Sequence, residues 1–156
     1  MSENIKSRNN SNTKLPTSKF YTLIVSCSLI IFAASLDVMF RVKDMSLFND
    51  WVEINQLQGE EAQLLSHYVS IHLSMFFSKI IIPVIFGIYT YFAYVKLRIN
   101  QLYVFIWTVL NLGGLAYTVV ELNLNSVLYY ISILSYIVML ITILSLVELI
   151  RENKSK

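Results

Sequence analysis

Residues 75–95 read MFFSKIIIPVIFGIYTYFAYV, twenty-one residues with one charge, Lys79, and one proline, Pro83. A run this long and this apolar matches the ~20 residues with which an α-helix crosses a hydrocarbon layer about 30 Å thick. Three further runs of the same kind stand at about 20–40, 102–121 and 127–149, separated by short polar or charged breaks. Within lipid every backbone N–H and C=O must be satisfied inside its own segment, so each run is predicted to be a helix. The sequence therefore predicts an all-α polytopic membrane protein: a bundle of four transmembrane helices with a short amphipathic helix in its outer loop.

Composition points the same way. Of 156 residues, 56% are apolar and 14% charged, against about 45–50% and about 25% in soluble domains. Mean hydropathy is +0.60. Four Gly and two Pro leave no material for a flexible linker. One domain over 19–151 is expected, flanked by cytoplasmic tails at 1–18 and 152–156. The first tail is rich in Ser, Asn and Lys and is expected to be disordered, because it holds too little apolar surface to fold. Cys27 is the only cysteine, which excludes an intramolecular disulfide and dithiol redox chemistry. Ile24-Val25-Ser26-Cys27 and Ala33-Ala34-Ser35 look like processing sites, but the apolar run continues through both to Phe40, so an uncleaved first helix is expected. The bias towards Asn, Ile, Lys, Tyr and Ser suggests an AT-rich bacterial genome.

The basic residues set an orientation. Lys6, Arg8, Lys14 and Lys19 precede the first run; Lys96 and Arg98 follow the second; Arg151, Lys154 and Lys156 follow the fourth. The first break instead holds only Arg41 and Lys43 against Asp44, Asp50, Glu53, Glu60 and Glu61. Lys and Arg accumulate on the cytoplasmic side, so both termini are expected in the cytoplasm and the loop from about Val42 to Leu65 outside, in a plasma membrane. The net charge of +2 follows from this asymmetry and requires no nucleic-acid partner. The expected partners are the bilayer and another membrane or extracellular protein.

Charges inside the apolar runs are costly, about 2.5–3.5 kcal/mol at a helix centre on insertion scales, and are expected to pair. Lys79, Asp37 and Glu121 fall at comparable depths near the outer end. Together with His72 they are expected to form one buried polar cluster, with Arg41, four residues from Asp37, as a competing partner. Steps of three and four also align Tyr68, His72, Met75, Lys79, Pro83, Gly87, Thr90 and Tyr94 on one face of the second helix. Asn111, Gly113 and Gly114 in the third helix, and Ser135 and Thr142 in the fourth, are the matching small and polar positions. With Pro83 and Gly87 they are expected to serve helix packing, their hydroxyls bonding between helices.

In the outer loop, Phe48, Trp51, Ile54 and Leu57 recur at helical spacing among Asn and acidic residues. They predict an amphipathic helix lying on the outer leaflet, Trp51 at headgroup level, and an interaction surface. Gly59 would end it, and the second helix is expected to begin near Glu60.

No catalytic pattern accompanies these features. His67 and His72 are five residues apart and share no helix face, so no metal site is expected; no G-x-S-x-G elbow occurs; and no cofactor motif is present. Transport is the competing class, but the charges gather at one end, and a four-helix protomer would have to form a homo-oligomer to enclose a pore. The reading that remains is a non-catalytic interaction protein, either an accessory subunit of a membrane complex or an immunity protein against a membrane-active toxin. The alternative is an oligomeric transporter or channel component.

Overall fold

The computed structural model describes residues 13–121 and 126–154. They form five helices: α1 (Thr17–Lys43), α2 (Met45–Ile54), α3 (Glu61–Val95), α4 (Gln101–Val120) and α5 (Val127–Lys154). All but α2 are long and apolar enough to cross a membrane. At 1.5 Å per residue, α4 is about 30 Å long, whereas α3, with 35 residues, reaches about 50 Å. The first half of α3 therefore stands well clear of the span that α4 can match.

The four long helices run alternately up and down. Phe20 stacks on Tyr94 with ring centroids 4.2 Å apart, and Tyr68 donates to the Arg41 carbonyl at the other end, at 3.2 Å. These contacts place α1 and α3 antiparallel over the whole length of α1. Between them, a Cβ added at Gly87 would stand 3.9 Å from the Cβ of Cys27, an ordinary packing distance, so the two backbones face each other here with room for one more methyl. Cys27 in turn donates its S–H to Met139 of α5 at 3.7 Å. On the α3–α4 seam, Phe86 packs on Trp107 and Thr90 shares a 3.1 Å hydrogen bond with Tyr103.

Polarity is arranged inside out. Ser26, Thr90, Asn111, Thr118, Ser135 and Thr142 are buried, while Phe32, Phe77, Ile81, Ile88, Phe105, Leu134 and Ile141 are exposed on the outward faces. The buried hydroxyls mostly do not bond between helices as the sequence suggested. Thr118 donates to Gly114 O, Ser135 to Ile131 O and Thr142 to Val138 O, each on its own helix. A short hydroxyl in a helix reaches the carbonyl one turn back more easily than a neighbour. These residues act in packing through their small size.

Two expectations about the ends are corrected. The N-terminal tail is ordered from Thr13: Thr13 and Ile99 exchange backbone hydrogen bonds of 3.2 and 2.9 Å in an antiparallel bridge, and both Leu15 and Ile99 are buried. Leu15 supplies the apolar anchor of this ordered stretch. Residues 1–12 lie outside the described set. At the other end α5 runs through Lys154, five residues beyond the expected helix end at Leu149; residues 155–156 lie outside the described set.

The adjacent glycines of α4 differ in surroundings. A Cβ at Gly114 would stand 2.7 Å from the Tyr136 hydroxyl and 3.0 Å from two of its ring carbons, whereas one at Gly113 meets nothing within 4 Å. Gly113 is exposed and so is not a packing residue of the protomer as expected; Gly114 is. Because Tyr136 is itself buried, Gly114→Ala should destabilise the bundle by about 1–3 kcal/mol through overpacking. Gly113→Ala should be neutral or stabilise by up to about 1 kcal/mol through helix propensity. Unfolding in graded denaturing detergent measures both.

Candidate functional site

At the end of the bundle opposite the Thr13–Ile99 bridge, three helices contribute charge. Asp37 lies twenty residues on from the start of α1, and Glu121, the C-cap of α4, twenty on from Gln101. Both carboxylates thus sit about 30 Å above the other end. Lys79 of α3 starts lower, sixteen residues from Val95, and its flexible stem carries the ammonium up to them. Its Nζ lies 3.3 Å from Asp37 Oδ2 and 2.6 Å from Glu121 Oε2. Arg41 Nε takes the same Asp37 oxygen at 3.1 Å. The four groups sum to zero charge, as a set withdrawn from water should.

Pro83 adds a further polar atom. It has no N–H, so the backbone carbonyl of Lys79, four residues earlier, lacks its usual helical donor. The helix runs through Pro83 without a break.

Beside the cluster is a cavity of about 30 Å³ whose lining includes Asp37, Lys79, Thr118, Glu121, Ser132 and Tyr136. That is room for one or two water molecules. His72 lines a smaller hollow of about 20 Å³ on the other flank of Lys79, but its Nδ1–H is given to Tyr68 O at 2.9 Å. The structure thus brings Asp37, Lys79 and Glu121 together as ion pairs and sets His72 beside them, turned to its own helix. Deeper in the bundle Asn111 is 0% exposed; its Nδ2 donates to Trp107 O at 2.7 Å, while its Oδ1 has no hydrogen-bond partner among the described residues.

Above the cluster α2 folds back as a cap. Asp44 both ends α1 and starts α2: its Oδ1 accepts from Ser46 Oγ at 2.6 Å, Ser46 N at 3.0 Å and Leu47 N at 3.4 Å. Gln56, in the turn that follows, holds φ at 51°, the left-handed region. The apolar face of α2 turns onto α3. Phe48, 3% exposed, packs on Tyr68 with centroids 5.5 Å apart, and Trp51 lies over both His67 and Tyr68. Here the sequence reading is corrected. Phe48 is no external contact, and α2 packs Phe48 and Trp51 on α3. Tyr68 was the missed partner; its place on the inward stripe of α3 was the available signal. Ile54, 79% exposed, and Leu47 remain on the outside, and Leu57 lines a crevice of about 360 Å³ with Phe48, Val52, Glu53, Glu61 and Leu64.

No group of three His, Cys, Asp or Glu that could hold a metal ion occurs among the described residues. Comparison with protein-family models, with curated proteins and with solved structures finds no match to this chain.

Two measurements test this geometry. Breaking a fully buried ion pair costs about 3–5 kcal/mol. The side chains here keep 16, 17 and 22% exposure, so Lys79→Met, which strands Glu121, should cost about 2 kcal/mol after allowance for solvent screening. Asp37→Asn should cost less, because Lys79 keeps Glu121, and a Lys79→Met/Glu121→Gln cycle should show coupling of at least about 1 kcal/mol. The second measurement concerns Asp44, whose carboxyl is held below the usual carboxylate range by the Ser46 hydroxyl and then by the Ser46 amide. A lowered pKa stabilises the fold above the unfolded value, near 3.9, and that contribution fades as pH falls through the folded value. The emission of Trp51, read in a Trp107→Phe background, should therefore report loosening of α2 on acidification below about pH 4. In Asp44→Asn that acid transition should disappear.

Proposed function

We propose that this chain is a small integral membrane protein of a bacterial plasma membrane, crossing it four times with both termini in the cytoplasm. It acts without catalysis, by presenting its outer cap to a partner protein. Support for lipid as its solvent comes from the inverted polarity: contiguous exposed apolar faces on all four long helices, which water would not tolerate, around a core holding the hydroxyls. Support for the orientation comes from charge. Lys14, Lys19, Lys96, Arg98 and Arg151 gather at one end, against Glu148 and Glu152, while Asp44, Asp50, Glu53, Glu60 and Glu61 outnumber Arg41 and Lys43 at the other.

The observation that carries the interaction role is the cap itself. α2 is pinned by Phe48 and Trp51 and so holds Ile54 and Leu47 outward in fixed positions, beside a crevice edged by Glu53 and Glu61. A surface ordered before it meets its partner loses less entropy on binding. Below the cap the charges are paired off at one level and the adjoining cavity admits only a water or two, an arrangement suited to a seal rather than a conduit. An immunity protein against a membrane-active toxin and an accessory subunit of a membrane complex both use such a surface.

Labelling decides the orientation: in a Cys27→Ser background, Glu60→Cys should react with an impermeant maleimide on intact cells. For the role, cells carrying the chain should resist a membrane-active peptide toxin, or retain a membrane complex, and Ile54→Asp should abolish this at unchanged protein level. Label reaching residue 60 only after permeabilisation overturns the topology. Ion flux in proteoliposomes that is lost with Lys79→Met overturns the interaction role in favour of transport.

A further inference from the structure

The end of the bundle away from the cap holds a second cavity, of about 330 Å³, that the interaction role does not use. It opens between the close of α3 and the first turns of α4, and its lining includes Tyr89, Arg98, Asn100, Tyr103, Ile106 and Trp107. Its size falls within the ~300–1,000 Å³ of small-molecule sites. The walls are fixed. Tyr89 stacks on Tyr103 with centroids 5.7 Å apart and leans on Trp107 at 5.6 Å. Tyr103 is held by Thr90 through its hydroxyl and by the Asn100 side chain through its amide. The mouth faces outward from the bundle, since Tyr89, Leu97, Leu102 and Ile106 are all exposed.

Charge chooses the occupant. Arg98 is the one charged side chain of the lining. From Gly87 to Val120 the chain contains no acidic residue, and Lys96 adds a second positive charge to the same loop. No salt bridge is formed by Arg98 among the described residues. The cavity thus combines aromatic and aliphatic walls with a single cation, beside the α3–α4 loop that carries Lys96 and Arg98. Basic pockets between membrane helices on that side suit acidic lipid headgroups, and guanidinium matches phosphate in both shape and charge.

We propose that this cleft binds an anionic phospholipid of the inner leaflet, its phosphate on Arg98 and one acyl chain against Tyr89, Ile106 and Trp107. The proposal rests on the membrane reading above. Occupancy would fill the gap between α3 and α4 and tie the seam to the composition of the bilayer.

The test uses the full chain with Trp51→Phe, leaving Trp107 as the sole tryptophan, reconstituted in phosphatidylcholine bilayers. Lipids with brominated acyl chains quench a tryptophan that they touch. At equal mole fraction, brominated phosphatidylglycerol should quench Trp107 at least about twofold more strongly than brominated phosphatidylcholine. Arg98→Gln should erase the difference, and Lys96→Gln, whose side chain lies outside the lining, should largely keep it. Equal quenching by the two lipids, or a preference that survives Arg98→Gln, overturns the site. Relief of the phosphatidylglycerol quenching by millimolar inorganic phosphate shows a soluble-anion site instead and overturns the lipid assignment. Release of the chain from its membrane by alkaline carbonate fails the membrane reading itself. A carbonate-resistant chain that neither lipid quenches fails the cleft alone.

Discussion

A single ammonium holds the upper end of this molecule together. Lys79 is the only charge between Glu61 and Val95, and it meets carboxylates from two other helices, Asp37 from α1 and Glu121 from α4. An unpaired charge at that depth is expensive, so the three helices are constrained to a common height and rotation. Much else follows from that alignment. Pro83 lies one turn below, on the buried face of α3, Gly87 meets Cys27 a turn further on, and Thr90 reaches Tyr103. The stripe on α3 that begins at a polar contact ends at aromatic ones.

The two ends of the bundle are built by different means. The acidic end is closed by a helix: Asp44 terminates α1 and caps α2 with one side chain, and the Phe48–Trp51–Tyr68 group holds α2 against α3. The basic end is closed by backbone. The Thr13–Ile99 bridge and the buried pair Leu15 and Ile99 bring the start of the chain under the α3–α4 loop. Between the two, α3 and α4 touch chiefly through large aromatic rings, which fit less closely than the small residues on the α1–α3 side and leave a cleft.

How much of this could be read from the amino acids differs by feature. The long helices were legible because length and apolarity decide them locally, and the ion cluster because a buried charge needs an opposite one and few were in reach. The cap was half legible. Helical spacing gave α2, but whether its apolar face met lipid or protein turned on Tyr68, which an i, i+4 pattern assigns to an inward face without saying what it touches. Gly113 and Gly114 were indistinguishable as letters; only the rotation of α4, set by contacts far along the chain, gives one of them to Tyr136. Leu15 and Ile99 are single apolar residues in polar surroundings, with no periodicity to announce them.

The bridge between Thr13 and Ile99 has a consequence for how the protein comes into being. Its two strands of backbone are separated by more than half the chain, including both α1 and α3. Contacts that close so large a loop form late, and during synthesis this one cannot form until the segment after α3 has been made. The clasp at Thr13 therefore closes only after α1 and α3 have both been synthesised.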